Sequence, residues 1–417
     1  MEIDTSPGAI TRVPGFRAAA VACGLKQNGQ PDLALVVSDR PANAAAAFTG
    51  NAFRAAPVLY DQELLARCRG ANLRAIVANT GYANACTGEQ GMRDAVRTAR
   101  LAESLLNLPQ DSTFVMSTGV IGHPVPMGRL EAGLRAACRA LSPTGGADAA
   151  RAIMTTDLVP KEASVSFAVG GAVATLGGMA KGSGMIGPSL VMPAEPGAGG
   201  GHATMLVTLA TDADVSAGAL RAALGRAVSA SFNCITVDGD TSTNDTVILL
   251  ASGAAGNARI DAGSGAFPAF EAALAEVCTS LARQIARDGE GATRLVEIVI
   301  LEAASDAEAR QAAKTVATSP LVKTAIFGAD PNWGRVLAAI GRSGSAVNPA
   351  RTALWLGDIP LVAGGEPLGF DPEAARAALK QPEVRFTARL GVGSGRATVW
   401  TCDLSYKYVE INAEYHT

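Results

Sequence analysis

Apolar residues along the chain follow two spacings, one typical of helices and one typical of strands. Residues 92–106, 217–230 and 270–285 carry apolar positions at steps of three and four. The clearest case has steps of four, three, four and four and consists of Phe270, Leu274, Val277, Leu281 and Ile285. These patterns predict amphipathic helices that lie on a sheet.

Short runs rich in Val, Ile, Leu and Thr predict strands between these helices. The runs are 33–37, 75–78, 205–209, 246–251, 296–301 and 397–401. Glycines interrupt the uncharged stretch 163–180, which therefore predicts two strands and a turn and not a membrane span. Because helices and strands are intermixed along the chain, we predict an α/β fold built of layers.

Composition sets the size of the core and excludes several partners. The 417 residues are 48% apolar but only 5% aromatic, so a core of Ala, Val, Leu and Ile is expected. The net charge is −3 and no long run of one sign occurs, which argues against nucleic acid and against a membrane surface as partners. The first residues, MEIDTSPGAITRVPG, lack the apolar region of a secretory signal.

Cysteines and histidines restrict the chemistry further. The seven cysteines are scattered without a CxxC pair, which favours a reduced, cytoplasmic protein with no thiolate metal site. The histidines are only three, His123, His202 and His416. That number makes a His-based metal site or a Ser-His-Asp triad improbable, so we treat all three as non-catalytic.

A Pro/Gly stretch, PAEPGAGGG at 193–201, breaks the composition in mid-chain just before Ala203 and Thr204. By itself such a stretch is typical of an interdomain linker. A threonine hydroxyl is a poor nucleophile without a base, and the α-amine of Thr204, with a pKa of about 8, becomes such a base only if the bond to Ala203 is cut. The residues leave two interpretations open: a self-cleaving nucleophile, or an ordinary threonine that opens a strand.

Four further segments are rich in Gly, Thr, Ser, Asn and Asp. These are STGVIG at 117–122, GGMAKGSGMIGP at 177–188, DGDTSTNDT at 238–246 and DGEGA at 288–292. Each alone is explained by a turn, a hairpin or a helix cap. GMAKGSG lacks the spacing of a phosphate loop, and DGDTSTNDT lacks the final Glu of a calcium loop, with Leu249 in its place.

Taken together, the motifs resemble the ornithine acetyltransferases of arginine biosynthesis, in order from about residue 14 to residue 417. The motifs are STGVIG, MTTDLVPKEA, GGMAKGSGMI, ATML, SFNCITVDGDTSTNDT, DGEGATRL, SPLVKTAIFGADPNWGR and YVEINAEYHT. The resemblance implies an N-terminal-nucleophile enzyme with helices outside two sheets, a layered α-β-β-α arrangement. It also implies a precursor that cuts itself between Ala203 and Thr204 into an α chain, 1–203, and a β chain, 204–417.

The activity that the resemblance implies is transfer of acetyl from N-acetylornithine to glutamate by a ping-pong route through an acyl-threonine. Some members also accept acetyl-CoA as donor, and no bound cofactor or metal is expected. The α and β chains are expected to stay associated, and αβ units to form dimers or larger assemblies. By motif, Thr204 is the expected nucleophile, while Thr118 and Gly119 are similar to the family's oxyanion-hole pair. The expected substrate contacts are Thr155, Lys181, Thr204, Glu290, Asn412 and Thr417.

Two departures from the family pattern bear on substrate choice. About a dozen extra residues lie between Pro188 and Thr204, and Tyr82 stands where the family usually has Asn. They favour, as an alternative, an acyltransferase of a specialised pathway with a different amino-acid donor or acceptor. An amidohydrolase or aminopeptidase with the same nucleophile, and an uncut binding protein, remain further hypotheses.

Overall fold

A computed structural model of the chain describes residues 2–193 and 205–414. Ala203, Thr204, Thr417, His202, His416 and nearly all of the Pro/Gly stretch lie outside these residues. Within the described part the chain forms two compact units. The first contains residues 2–193, 205–233 and 240–282, and the second contains 234–239 and 283–414.

The first unit consists of strands that form one hydrogen-bonded sheet and of helices that cover it. Its strands are β1 (Phe16–Val21), β2 (Leu33–Thr49), β3 (Leu73–Tyr82), β4 (Thr113–Val120), β5 (Lys161–Val169), β6 (Ala172–Lys181), β7 (Leu190–Val191), β8 (Leu206–Thr211) and β9 (Thr246–Ala251). Its helices are α1 (Ala56–Cys68), α2 (Gly88–Leu105), α3 (Met127–Ala140), α4 (Gly146–Ala152), α5 (Ala217–Ala230) and α6 (Phe267–Arg287), the last of which ends in the second unit. A short 3₁₀ turn occurs in this unit at Ala9–Arg12, another at Phe232–Cys234 ends in the second unit, and a third in the second unit is Pro349–Arg351.

The long strand β2 joins two parts of this sheet. Its first part pairs with β1 and β3, and its second part, from Asn43 onward, pairs with β9 and β7. The register shifts between Val37 and Ala42, around Pro41. Proline has no N–H to donate to a ladder, so the change of partners falls where a regular ladder is interrupted.

The two parts of the sheet form layers. Alternate residues of β2 face opposite sides of the sheet. Leu33, Leu35 and Val37 belong to a core cluster with residues of α2 and α3. Val36 belongs to a different cluster, which also contains Ile248 of β9. Helix α6 covers another face, where the Phe167 and Phe270 rings are 6.2 Å apart. The α/β class is therefore confirmed, and the two parts of the sheet that β2 joins form the two layers of the expected arrangement between helices.

The second unit has its own sheet, in the order β13-β12-β11-β14-β10-β15. Its strands are β10 (Leu295–Ala303), β11 (Ala353–Leu356), β12 (Ile359–Ala363), β13 (Glu366–Pro367), β14 (Glu383–Arg389) and β15 (Gly395–Cys402). Its helices are α7 (Asp306–Ala317), α8 (Pro320–Phe327), α9 (Trp333–Gly341), α10 (Pro372–Leu379) and α11 (Tyr406–Glu414). Helix α7 packs on β10 and β15.

The periodicity of the sequence predicted these elements well where it was strong. All five apolar positions assigned to the helix at 270–285 are fully buried on α6. The stretch 163–180 forms β5, a turn and β6, and each predicted strand occurs. The linker interpretation of 193–201 is wrong in one respect, because the residues before and after it belong to the same unit.

Candidate active site

One edge of the first sheet brings together residues that are far apart in sequence. Strands β6 and β8 are antiparallel, with Lys181 opposite Leu206, and β8 and β9 are parallel, with Leu206 opposite Thr246. The end of β6 and the starts of β8 and β9 therefore meet at one edge. Met205, which precedes β8, is fully buried there, and its carbonyl accepts the Thr246 N–H at 3.0 Å.

Thr118 and Gly119 lie at the end of β4, which is parallel to β3. Gly119 has φ +129°, a conformation that L side chains rarely adopt. A Cβ on Gly119 would lie 2.3 Å from the Gly81 carbonyl carbon and 2.6 Å from the Tyr82 nitrogen. The backbone at Thr118-Gly119 thus requires glycine, both for its φ and for the close approach of β3.

Lys181 links the end of β4 to the edge where β8 begins. Its ammonium donates to Thr155 Oγ1 at 2.7 Å and lies 3.4 Å from Thr118 Oγ1, and its residue is only 2% exposed. The structure therefore groups three of the residues that the sequence predicted, Thr118, Thr155 and Lys181. Two hydroxyls and one buried cation are suited to bind a carboxylate or a developing oxyanion.

Asp157 balances the buried positive charge. Its Oδ1 accepts from Lys161 Nζ at 2.6 Å and from the Gly182 N–H at 2.7 Å, and its Oδ2 accepts from the Thr155 N–H at 2.9 Å. Burial works to raise the pKa of Asp157, but Lys161, Lys181 and these hydrogen bonds hold the pKa well below its usual range. Sequence reasoning missed this carboxylate, although Asp157 and Lys161 both stand in the motif MTTDLVPKEA.

We expect Lys161→Met to destabilise the fold strongly. The Lys161 and Asp157 side chains are both 0% exposed, so removing the cation leaves a buried charge without its closest partner. Breaking such a pair costs about 3–5 kcal/mol in the free energy of unfolding. Urea unfolding of the variant measures this loss.

Arg93→Met is the matched control for that measurement. Arg93 and Glu89 have the same spacing in sequence, but their side chains are 62% and 93% exposed, so little change is expected. Equal small losses in the two variants would contradict the prediction.

The same ion pair makes the stability of the fold depend on pH. Because the pKa of Asp157 is lowered in the folded state, its ionised form contributes to the free energy of unfolding above about pH 4, the unfolded-state pKa. This contribution is lost as the pH falls below that value.

Asn244 joins the start of β9 to the end of β4. Its Nδ2 donates to the Ser117 carbonyl at 2.8 Å and to the Ala83 carbonyl at 2.6 Å. Next to it, Asp245 accepts the Met205 N–H at 2.5 Å. The segment DGDTSTNDT is thus more than a surface turn, since residues 241–246 are buried beside the candidate site. A signal was present, namely an Asn-Asp pair directly before an apolar strand.

The second unit contains two more of the predicted substrate residues. Glu290 Oε2 accepts from Asn412 Nδ2 at 2.8 Å. The loop of Glu290 is held on α11, because the Ser405 hydroxyl donates to the Gly291 carbonyl at 2.6 Å. A Cβ on Gly291 would lie 2.5 Å from the Tyr408 nitrogen. The structure thereby brings Glu290 and Asn412 together as a pair within this unit.

Tyr82, one of the departures from the family pattern, lies at the end of β3 beside Gly119. Its side chain packs against a small apolar cluster of Leu25, Val125 and Leu130. The Tyr82 side chain therefore contributes to the apolar packing beside the site. His123 is exposed on the loop that follows β4.

Among residues 2–193 and 205–414, no group of three or more His, Cys, Asp or Glu side chains could hold a metal ion. In the same part of the chain, no helix has both the length and the apolar composition to cross a membrane.

The Thr118-Gly119 backbone at the end of β4 and the buried ammonium of Lys181 offer hydrogen-bond donors of the kind that acyl-transfer enzymes direct at a developing oxyanion. The chain belongs to the ArgJ family, whose model matches residues 17–417. The arginine biosynthesis bifunctional protein ArgJ of Symbiobacterium thermophilum is 52% identical over 412 residues, which cover 98% of this chain and 99% of that protein. The protein of the same name from Geobacter sulfurreducens is 47% identical over 406 residues, which cover 97% of this chain and 100% of that protein.

Solved structures of this family are also similar to the chain. The ArgJ protein of Bacillus halodurans is 47% identical with a TM-score of 0.49, and the match covers 50% of this chain and 98% of that chain. The ornithine acetyltransferase of Mycobacterium tuberculosis, solved with ornithine, is 41% identical with a TM-score of 0.41 and covers 46% of this chain and 99% of that chain. The family predicted from the motifs is confirmed, and the chain is an acyltransferase of arginine biosynthesis.

Proposed function

We propose that the chain cleaves itself at Ala203-Thr204 and then transfers acetyl from N-acetylornithine to glutamate through an ester on Thr204. The observation that carries this proposal is the position of Met205. This residue is buried at the same sheet edge as Lys181, whose ammonium contacts Thr118 and Thr155. Thr204 directly precedes Met205 in the sequence, which supports Thr204 as the nucleophile of this site.

Self-cleavage would proceed by an N-to-O acyl shift. The Thr204 hydroxyl adds to the Ala203 carbonyl carbon, the new C–O bond replaces the C–N bond, and the hydroxyl proton ends on the departing nitrogen. Water then hydrolyses the ester, which leaves a carboxylate on Ala203 and a free hydroxyl and α-amine on Thr204.

The transfer reaction would use that free amine as its base. Thr204 Oγ attacks the acetyl carbon of N-acetylornithine as the amine accepts its proton, and the proton passes to the departing ornithine nitrogen. The glutamate amine then attacks the acetyl ester, and its proton returns to the Thr204 oxygen. We assign Thr118 and Gly119 to stabilise the tetrahedral oxyanion in both steps.

The substrate groups match the charges of the described residues. Both amino acids present a carboxylate, which suits the buried Lys181 with Thr155 beside it. The amino group of ornithine requires an acidic partner, a role that we assign to Glu290 with Asn412. Thr417 completes the proposed set, although it lies outside the described residues. Because related proteins bear the name bifunctional, we extend the proposal to acetyl-CoA as a second acetyl donor.

Residues 1–203 and 204–417 would remain associated after the cut. Two strands of the first segment are hydrogen-bonded to strands of the second, β6 to β8 and β2 to β9. Dissociation would therefore break sheet pairing in the middle of a core. We extend the family pattern to dimers of such αβ units, and we infer a cytoplasmic location, which the seven free cysteines support.

The test is the dependence of ornithine release on glutamate. Purified protein is incubated with N-acetylornithine, with and without glutamate, and ornithine, N-acetylglutamate and acetate are measured. We expect ornithine and N-acetylglutamate in equal amounts, with little ornithine when glutamate is left out. Ornithine and acetate formed without glutamate would indicate a hydrolase, and no ornithine from a cleaved protein would indicate an acyltransferase with a different donor.

A further inference from the structure

Asn244 is a buried amide beside the candidate site, and the proposed reaction gives it no role so far. It is 2% exposed and lies two residues before β9. Its Nδ2 donates to the Ser117 carbonyl at 2.8 Å and to the Ala83 carbonyl at 2.6 Å, and its Oδ1 accepts from the Thr243 hydroxyl at 2.6 Å. Both N–H groups and the oxygen of the amide therefore have partners, which fixes its orientation.

The Ser117 carbonyl belongs to the peptide unit that joins Ser117 to Thr118. A peptide unit is planar and trans, so its C=O and its N–H point in opposite directions from one rigid plane. A hydrogen bond to the Ser117 oxygen therefore also fixes the Thr118 N–H and the Thr118 Cα. Gly119 follows immediately, with φ +129°. The two residues that we assigned to the oxyanion thus extend directly from a peptide that Asn244 holds.

The second hydrogen bond of the amide holds the end of β3 against β4. Ala83 follows β3 directly, and its carbonyl accepts from Asn244 while its N–H donates to the Val120 carbonyl at 3.0 Å. The register of the β3–β4 ladder shifts at Tyr82, one residue earlier. Asn244 is therefore bonded to both strands where their regular pairing ends, beside Gly119.

The residue after Asn244 is bonded to the start of a different strand. Asp245 Oδ1 accepts the N–H of Met205, which directly precedes β8. One dipeptide is therefore hydrogen-bonded both to the end of β4 and to the residue before β8. In the proposed cleavage products Ser117 belongs to 1–203 and Asn244 to 204–417, so a side chain of the β chain would hold the oxyanion backbone of the α chain.

We propose that Asn244 is a positioning residue for acyl transfer, whose amide holds the Thr118-Gly119 backbone in the geometry that stabilises the tetrahedral oxyanion. This inference rests on the proposed function, since it takes that backbone as the oxyanion site. Donors lower the barrier only when they are aimed at the oxygen that becomes negative, and a displacement of about 1 Å costs on the order of 100-fold in rate. The role differs from that of Lys181, which contacts the Thr118 hydroxyl.

The experiment compares Asn244→Asp with Asn257→Asp in the full chain. Asn257 is the matched control, because it is also buried and its Nδ2 also donates to two backbone carbonyls, those of Asp214 at 3.3 Å and Ala258 at 2.8 Å. It lies beyond the other end of β8 and β9. Each substitution keeps the shape and one oxygen of the side chain but removes the NH₂ group.

Both variants are expected to lose stability in urea unfolding, because each leaves backbone carbonyls without their donor. Transfer from N-acetylornithine to glutamate, measured on the cleaved protein, separates them. We expect kcat to fall about 100-fold in Asn244→Asp and to stay at the wild-type value in Asn257→Asp. An interaction made only in the transition state predicts that kcat and kcat/KM fall by the same factor, with KM for N-acetylornithine unchanged. Asn244→Ser, which removes the amide without adding an acid, is expected to give the same pattern.

Hydrogen exchange gives a second measurement, which does not require that a variant be cut. The backbone amides of residues 113–120 are expected to exchange faster in Asn244→Asp than in the wild type, and at the wild-type rate in Asn257→Asp. If Asn244→Asp does not fold, Asn244→Ser and Asn257→Ser take the places of the two variants.

Two results would overturn the inference. One is the same kcat in the Asn244 variant as in the Asn257 variant, and the other is wild-type exchange at 113–120 in the Asn244 variant. The proposed function fails by different results, namely a wild-type chain that stays uncut or that releases no ornithine from N-acetylornithine.

Discussion

Thr204→Ala is expected to leave the chain as a single polypeptide of 42.2 kDa, whereas the wild type yields two fragments, one of which begins TMLVTLATDA. The reason is that alanine has no hydroxyl to attack the Ala203 carbonyl. Without the cut, residue 204 also has no free α-amine to act as base. Loss of a nucleophile lowers turnover by a factor on the order of 10⁶. Intact mass and N-terminal sequencing measure cleavage, and the N-acetylornithine assay measures transfer.

Two variants make this test specific. Thr208→Ala changes a buried threonine of β8, the strand that follows Thr204 in the sequence, and the variant is expected to be cut and to remain active. Thr204→Ser keeps a hydroxyl and is expected to restore cleavage. A wild-type chain that stays whole, or a Thr204→Ala chain that is cut at the same bond, would require the proposed mechanism to be withdrawn.

Gly119→Ala is expected to damage both the fold and the reaction. A Cβ at this position would approach the backbone of Gly81 to 2.3 Å, and φ is +129°. Backbone strain of this kind costs about 1–3 kcal/mol, before the clash is counted. If the variant folds, β3 and β4 must separate, and displacement of the proposed oxyanion donor should cost a further ~100- to 1,000-fold in kcat.

Gly29→Ala is the control for the effect of φ alone. Gly29 has φ +70°, but a Cβ there would meet nothing within 4 Å, so the expected loss is about 1–2 kcal/mol with normal activity. Thermal unfolding and acyl-transfer rates, measured on both variants, separate strain from the steric clash. A Gly119→Ala protein with the stability and kcat of Gly29→Ala would refute the proposed assignment of the Thr118-Gly119 backbone as the oxyanion site.

The elements were predictable from the sequence because their patterns are local. The five apolar residues of α6 repeat at helical steps, and burial of that one face on the sheet is what the spacing requires. The short strands β11 to β13 of the second unit were not predicted, since they have only two to five residues each and little periodicity.

The site was predictable only in part, because its contacts depend on topology. Lys181 and Thr118 are separated by 63 positions in the chain and meet because β6 and β4 end near one another, which no spacing in the sequence reveals. Lys181 and Thr118 were assigned to one site only because their motifs resemble those of the ornithine acetyltransferases. Asp157 was missed because an Asp four residues from a Lys usually marks an exposed pair, and Asp245 was missed because a run of Asp, Thr, Ser and Asn is typical of turns.

The pairing of β2 with β9 also has a consequence for the timing of protein synthesis. Phe48 lies opposite Thr246, so the edge that receives Met205 is completed only after about 200 further residues have left the ribosome. Asp245 and Asn244, which hold that edge, come just before β9. The growing chain therefore carries the Ala203-Thr204 bond before it carries these two residues, which follow that bond in the sequence. If the chain cleaves itself as proposed, the cut has to wait until β9 has been translated and has paired with β2 and β8.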